Sequence, residues 1–178
     1  MIANERTLYL FEGINKSSVK MIIEQMIKIN QFDDDKDKKE KDYKRLPIDL
    51  IINSNGGSVY DGLALINVID NSKTPVHTHV FGLAASMSLL IAVSGHKRYS
   101  GRLSTFMYHS VSNHIGGQFE HLKNRLDETE RLQSIYDEYL ISKTKFRLED
   151  LKSVQEHQRD WFINPEEALA LGIIDEIT

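Results

Sequence analysis

Apolar positions recur along this chain with two spacings, and each change of spacing marks an element. Residues 7–11 form a short apolar run that predicts a first strand. Asn15, Ser17 and Ser18 offer helix caps, and Val19, Ile22, Ile23, Met26 and Ile27 then recur at helical spacing, which buries one helix face. Residues 47–53 carry Ile48, Leu50, Ile51 and Ile52 and read as a buried strand. Ser54-Asn55-Gly56-Gly57-Ser58 follows as a tight turn, and Ser58-x-x-Asp61 reads as a capping box for a helix that turns Leu63, Ile66 and Ile69 inward. Residues 76–80 alternate as another strand, and residues 81–93 are apolar enough for a buried helix. A turn over 95–98 and a strand over 105–108, ending at His109, come next. From 117 to 145 a long helix is expected, with Phe119, Leu122, Leu126, Leu132, Tyr136, Tyr139 and Leu140 on its stripe. Residues 148–154 predict a short helix and 158–162 a loop or short strand. Asn164 and Pro165 open the last helix, Gly172 stops it, and Ile173, Ile174 and Ile177 make a final strand. Successive strand–turn–helix units imply an α/β fold with a parallel sheet, whose ligand sites lie at the carboxyl ends of the strands.

One stretch breaks this pattern. After Asn30, acids and bases alternate from residue 31 to 45 with almost no apolar residue among them. The run lacks the glycine and terminal glutamate of a calcium loop, so a solvated surface loop is expected there.

Composition narrows the field. The chain has 178 residues, enough for one domain with a sizeable core. A net charge of −4 advertises no basic face for nucleic acid. The absence of cysteine excludes disulfides, thiolate catalysis and cysteine-ligated metals. No apolar run reaches the ~20 residues that span a bilayer. The opening residues lack a basic region followed by an apolar one, and a cytoplasmic location is expected. There is no Gly-x-x-x-x-Gly-Lys-Ser/Thr, hence no P-loop for ATP.

Candidate chemistry gathers at Ser86. It sits among Gly82, Ala84 and Ala85 where a strand gives way to a helix, and a serine on such a turn can present its hydroxyl to a cleft. The amide of Met87, in the first helical turn, is a natural oxyanion donor. Equally, Ser86 can be an ordinary N-cap. The Gly56-Gly57 turn offers a second set of exposed amides. Seven histidines are available: His77, His79, His96, His109, His114, His121 and His157. His77 and His79 share a strand face in the manner of metal ligands, but no third ligand is evident, so no metal is expected. Residue chemistry alone does not choose the partner of Ser86.

A resemblance does. Glu5-Arg6-Thr7-Leu8-Tyr9-Leu10, Ile51-Ile52-Asn53-Ser54-Asn55-Gly56-Gly57-Ser58-Val59, Gly82-Leu83-Ala84-Ala85-Ser86-Met87, Lys97-Arg98-Tyr99, Met107-Tyr108-His109, Arg159-Asp160-Trp161-Phe162, Glu166-Glu167-Ala168 and Gly172-Ile173-Ile174-Asp175 occur in order over nearly the whole chain. Together they resemble the proteolytic subunits of the Clp protease, a family of serine peptidases. The resemblance implies Ser86 as nucleophile, His109 as proton carrier and Asp160 as the residue that orients His109. It implies Gly57 and Met87 as the oxyanion amides. It further implies a crotonase-like repeat of strands and helices, with the long helix as a protruding handle between two stacked heptameric rings. Arg159 then becomes a candidate for coupling assembly to activity. Unfolded polypeptides are the expected substrates, a separate AAA+ unfoldase the expected partner, and no cofactor is implied.

This sequence departs from the family at Asn55, where proline is usual, and at Ser110, where glutamine is usual. The charged stretch is longer than the family's connection. The family's N-terminal loops, which engage the ATPase, are expected to be short or absent. Three rival readings remain at this level: a crotonase-type acyl-CoA enzyme, a serine–lysine signal peptide peptidase, and a non-catalytic ring subunit.

Overall fold

The computed structural model describes residues 5–112, 116 and 118–178. His114 and Gly117, named above, lie outside the described residues. The chain runs β1 (Thr7–Leu10), α1 (Lys16–Lys39), β2 (Ile48–Ser54), α2 (Val59–Asp70), β3 (Val76–Ala85), α3 (Met87–Val93), β4 (Lys97–Ser100) and β5 (Thr105–Tyr108). It continues with α4 (Phe119–Lys143), α5 (Leu148–Glu156), β6 (Trp161–Ile163), α6 (Pro165–Ala170) and β7 (Glu176–Ile177). Strands β1, β2, β3, β4 and β7 form a parallel sheet in that order. Alternate residues of the central strands, such as Leu50, Ile52, Val76 and Val80, are buried under the helices. Helix α3 is buried at every position and passes through the core.

Strand β3 is the pivot. Its first half pairs with β2 and β4, while Leu83, Ala84 and Ala85 pair with β5 in place of β4, and Ala84 resumes the pairing with β2 at Ser54 after an irregularity. The change of partner occurs at Gly82, whose φ of 138° suits glycine and whose place against the Asn53 side chain has no room for a Cβ. Asn53 Oδ1 accepts from the Leu83 amide at 3.0 Å and spans the break in the ladder. Strand β5 pairs antiparallel with β6 on its other side.

Three expectations need correction. Residues 81–85 are strand, not the start of a helix: a short, fully apolar run fits either state, and pairing with β5 decides for strand. Lys97 and Arg98 belong to β4 rather than to a turn, and Arg98 joins that strand to the chain end through Asp175. The charged stretch 31–45 is not a loop throughout, because α1 continues to Lys39. Opposite charges three and four residues apart support helix there, as in Asp35–Lys38 and Lys36–Glu40. The extension is also anchored. Asp33 is fully buried and accepts from both Arg6 guanidinium nitrogens, at 2.9 and 2.5 Å. It also accepts from Tyr43 Oη and Thr74 Oγ1, each at 2.6 Å. Burial alone would raise the Asp33 pKa, yet bonds from Arg6, Thr74 and Tyr43 hold it down at about 2.

Helix α4 occupies most of the range expected for the long helix. Its C-terminal half buries Leu132, Tyr136, Asp137 and Leu140, while Phe119 and Leu126 in its N-terminal half are 76% and 54% exposed.

Candidate active site

Two strand-to-helix turns meet at the carboxyl ends of β2 and β3. Ser86, between β3 and α3, has φ 54° and ψ −129°, a left-handed conformation that non-glycine residues adopt at a cost of about 1–3 kcal/mol. A sharp strand-to-helix turn of this kind lifts the serine side chain out of the sheet, as in a nucleophile elbow. Ser86 stands at the N-cap position of α3, but its hydroxyl makes no capping bond. The ordinary N-cap reading of this serine is therefore set aside. The surrounding backbone is tightly held. The Ser86 amide donates to Met107 O at 2.9 Å. Ser86 O accepts from the Leu89 amide at 2.9 Å and from Tyr136 Oη at 2.8 Å. Ser88 Oγ donates to Ser54 O at 2.6 Å and lies 2.8 Å from Ala85 O, tying the elbow to the end of β2.

The glycine turn is pressed against this elbow. A Cβ on Gly56 would lie 2.6 Å from Ala85 O, 2.8 Å from Ser86 Cβ and 3.0 Å from the Met87 amide nitrogen. Gly57 forms an isolated bridge with Ile14 whose bonds run from the Ile14 amide to Gly56 O and from the Ser58 amide to Ile14 O, both 2.8 Å. Neither bond uses the Gly57 amide. The two turns that carry Gly57 and Met87, the expected oxyanion donors, thus touch at Gly56.

Register sets the histidine. Ala85 of β3 is paired with Met107 of β5, so Ser86 and His109 leave neighbouring strands at adjacent levels. Tyr108 is paired with Trp161 of β6, which sets Asp160 beside His109. His109 Nδ1 lies 3.6 Å from Asp160 Oδ1, beyond the ordinary hydrogen-bond range, with 30% and 52% of the two side chains exposed. Among the described residues Ser86 Oγ has no hydrogen-bond partner, His109 included. Arg159 and Asp160 line a small cleft with His109, Ser110 and Gln158. Among the described residues Arg159 forms no ion pair within the chain.

Several other histidines have structural work. His96 Nδ1 accepts from the Val76 amide at 3.1 Å. His157 ends α5 and meets Ser153 O at 2.7 Å. His77 and His79 lie on the open sheet face beside Asp49, which is 2.9 Å from His79 Nε2, and His79 stacks on Tyr99. Burial lowers the pKa of His77 against the pull of Asp49. Among the described residues no group of three or more carboxylates and histidines is arranged to hold a metal ion.

Residues that periodicity did not single out for the site lie behind it. Tyr108 Oη donates to Asp137 Oδ1 at 2.7 Å, and Gln133 and Gln155 complete the group. Burial raises the Tyr108 pKa; Asp137 reinforces the shift and Gln155 opposes it, so the hydroxyl stays a donor. The sequence leaves little trace of this group, because its tyrosine ends β5, Gln133 and Asp137 lie on α4 and Gln155 on α5, and only packing brings them together.

Comparison with known proteins agrees with the architecture. The family model described as Clp protease matches residues 1–178. ATP-dependent Clp protease proteolytic subunit 2 of Synechococcus sp. (strain CC9605) is 34% identical over 178 residues, covering 99% of this chain and 84% of the relative. ATP-dependent Clp protease proteolytic subunit 1 of Prochlorococcus marinus subsp. pastoris is 32% identical over 176 residues, covering 98% of this chain and 84% of the relative. Subunit 1 from Prochlorococcus marinus (strain NATL2A) is 33% identical, covering 99% and 85%. A family match along the full length, on an α/β fold with the elbow and the glycine turn in register, establishes that this chain belongs to the Clp protease family and is a peptidase of that kind.

Proposed function

We propose that this chain cleaves unfolded polypeptides and short peptides with Ser86 as nucleophile, His109 as general base and acid, and Asp160 as the group that orients His109. The observation that carries this reading is the left-handed Ser86 at the end of a strand that pairs with the strand delivering His109. Ser86 Oγ attacks the scissile carbonyl while His109 takes its proton. The oxyanion that forms is received by the amides of Gly57 and Met87. His109 returns the proton to the leaving amine, and water repeats the sequence on the acyl-enzyme. Asp160 holds the imidazole in the needed tautomer and stabilises its charged form. In empty sites such bonds are commonly long and shorten around substrate, which accommodates the 3.6 Å between His109 and Asp160.

The assembly proposed is a pair of stacked heptameric rings in the cytoplasm, enclosing the site and fed by a separate AAA+ unfoldase. The exposed apolar half of α4 supports a contact between rings, since apolar stripes left open on a monomer mark interfaces. Arg159, beside Asp160 and without an ion pair in its own chain among the described residues, is suited to pair with an acidic residue across that contact.

A fluorophosphonate probe tests the chemistry. The reading expects stoichiometric labelling at Ser86, lost in Ser86→Ala together with turnover of a short fluorogenic peptide. Labelling elsewhere, or retained turnover by Ser86→Ala, refutes it. A crotonase-type acyl-CoA enzyme or a scaffolding subunit leaves Ser86 unlabelled.

A further inference from the structure

We propose that Asp137 is a positioning residue: a buried carboxylate through which helix α4 fixes the relative placement of the segments that carry Ser86, His109 and Asp160. The inference rests on the triad reading above and goes beyond it.

The observation is a convergence of bonds on one stretch of α4. Asp137 is 5% exposed and, among the described residues, has no cationic partner. Its charge is met by neutral donors alone. Oδ1 accepts from Tyr108 Oη at 2.7 Å and from Gln133 Nε2 at 2.9 Å, and Oδ2 accepts from Gln155 Nε2 at 2.7 Å. Gln155 Nε2 also donates to Tyr108 Oη at 2.7 Å, and Gln133 Nε2 lies 3.3 Å from that same oxygen. Gln133 uses its other end to accept from the Val111 amide at 2.7 Å. Among the described residues no buried side-chain polar atom is left without a partner. In a low-dielectric interior a fully satisfied network of this kind is rigid, and a partly satisfied one is costly.

Each bond leads to a different part of the site. Tyr108 is the residue before His109, and Val111 lies just beyond it, so Asp137 and Gln133 hold the chain on both sides of the histidine. Gln155 lies in the last turn of α5, from which the chain turns at Gln158 (φ 46°) to deliver Asp160. Tyr136, the neighbour of Asp137, donates to Ser86 O at 2.8 Å. A shift or rotation of α4 therefore moves all three proposed catalytic segments together. A carboxylate suits the hub because both oxygens accept, which lets one side chain face a tyrosine and two amides at once.

Peptidase kinetics and Ser86 labelling on the full chain test this. Asp137→Leu removes both acceptors. Gln155→Met removes the bonds from α5 to Asp137 and to Tyr108, leaves the carboxylate in place, lies at a half-buried position, and serves where Asp137→Leu fails to fold. Asp137→Asn keeps the acceptor for Tyr108 and Gln133, and a flip of the Gln155 amide regains the bond to residue 137 but gives up the one from Gln155 Nε2 to Tyr108 Oη, so this variant retains part of the network. The expectation is that kcat and the rate of fluorophosphonate labelling fall about tenfold to a hundredfold in Asp137→Leu and Gln155→Met, the cost of sub-ångström to ångström misplacement. KM and particle size by light scattering stay at wild-type values, and Asp137→Asn, which retains part of the network, falls clearly less than Asp137→Leu. A merely structural role lowers the thermal midpoint but leaves the folded variants labelling at the wild-type rate, and that result overturns the proposal. Asp137→Asn as slow as Asp137→Leu overturns it too. A wild-type chain that is not labelled at Ser86 overturns the triad reading beneath it.

Discussion

Adding one methyl group at Gly56 should cripple the site without removing any functional atom. In Gly56→Ala the new Cβ would lie 2.8 Å from Ser86 Cβ, 2.6 Å from Ala85 O and 3.0 Å from the Met87 nitrogen. Carbon atoms rest at about 3.5–4.0 Å, so either the glycine turn or the elbow must retreat by about 0.7 Å or more. None of the atoms it meets is the free end of a flexible side chain. Gly56 also has φ 92°, a strain of about 1–3 kcal/mol for alanine, and overpacking adds about 1–3 kcal/mol. Set against a typical stability of about 5–15 kcal/mol, the variant should still fold, with a lowered thermal midpoint. Catalysis should suffer more. The displacement separates Ser86 from the Gly57 and Met87 amides proposed to receive the oxyanion, and ångström-scale misplacement costs about a hundredfold. The assay is kcat and KM on a short fluorogenic peptide beside a thermal melt. Gly13→Ala is the control, since its methyl would meet Gly56 O at an ordinary 3.7 Å. A folded Gly56→Ala with kcat within about threefold of wild type would refute the argument that these two turns form one site.

Further outcomes follow from the same structure. Asp160→Asn should keep the fold and the assembly yet lower turnover on the order of 10⁴-fold, the serine-protease precedent, because the imidazole loses its orienting charge; unchanged turnover would remove Asp160 from the triad. The Asp33 carboxylate, held at about 2 against an ordinary 3.8, contributes about 2 kcal/mol that is fully present above pH 3.8 and lost as pH falls toward 2. Urea midpoints across that window should show the loss in wild type and not in Asp33→Asn, and an identical slope in both would contradict it. Leu126→Asp, which puts a charge on the exposed stripe of α4, should split the particle and lower peptidase activity together, as read by light scattering beside the peptide assay. A wild-type chain that is monomeric and fully active would end that reading.

What the sequence could and could not disclose follows from the range of each interaction. Strands such as β2 and β5 were legible because their branched and aromatic residues fall in short runs between turn residues. The Gly56-Gly57 turn and Ser86 were legible because turn chemistry is local. Residues 81–85 were not, since the choice between strand and helix there depends on pairing with β5, which comes later in the chain. The continuation of α1 was hidden for a similar reason. A stretch of alternating charges reads as solvated until Arg6 and Thr74, distant in sequence, bury Asp33. Residue chemistry could not single out His109 because register, in β3 with β5 and β5 with β6, places it beside Ser86 and Asp160, and the family resemblance had to supply that information.

Helix α4 raises a question of mechanical coupling that the separate variants frame. It is a single helix of 25 residues, about 37 Å long, with no break between its exposed and buried halves. In the proposed assembly the exposed half, with Phe119 and Leu126, meets another subunit, while the buried half, with Tyr136 and Asp137, holds the site. A rigid element that spans both must transmit displacement from one to the other. Leu126→Asp should therefore lower activity by releasing the helix from outside, and Asp137→Leu by releasing the site from within while the particle stays whole. Because both variants loosen the same element, their effects on kcat should be less than additive when combined, as expected for positions acting through one shared structure. Strict additivity in that double-mutant cycle would mean that assembly and site geometry reach catalysis by separate routes.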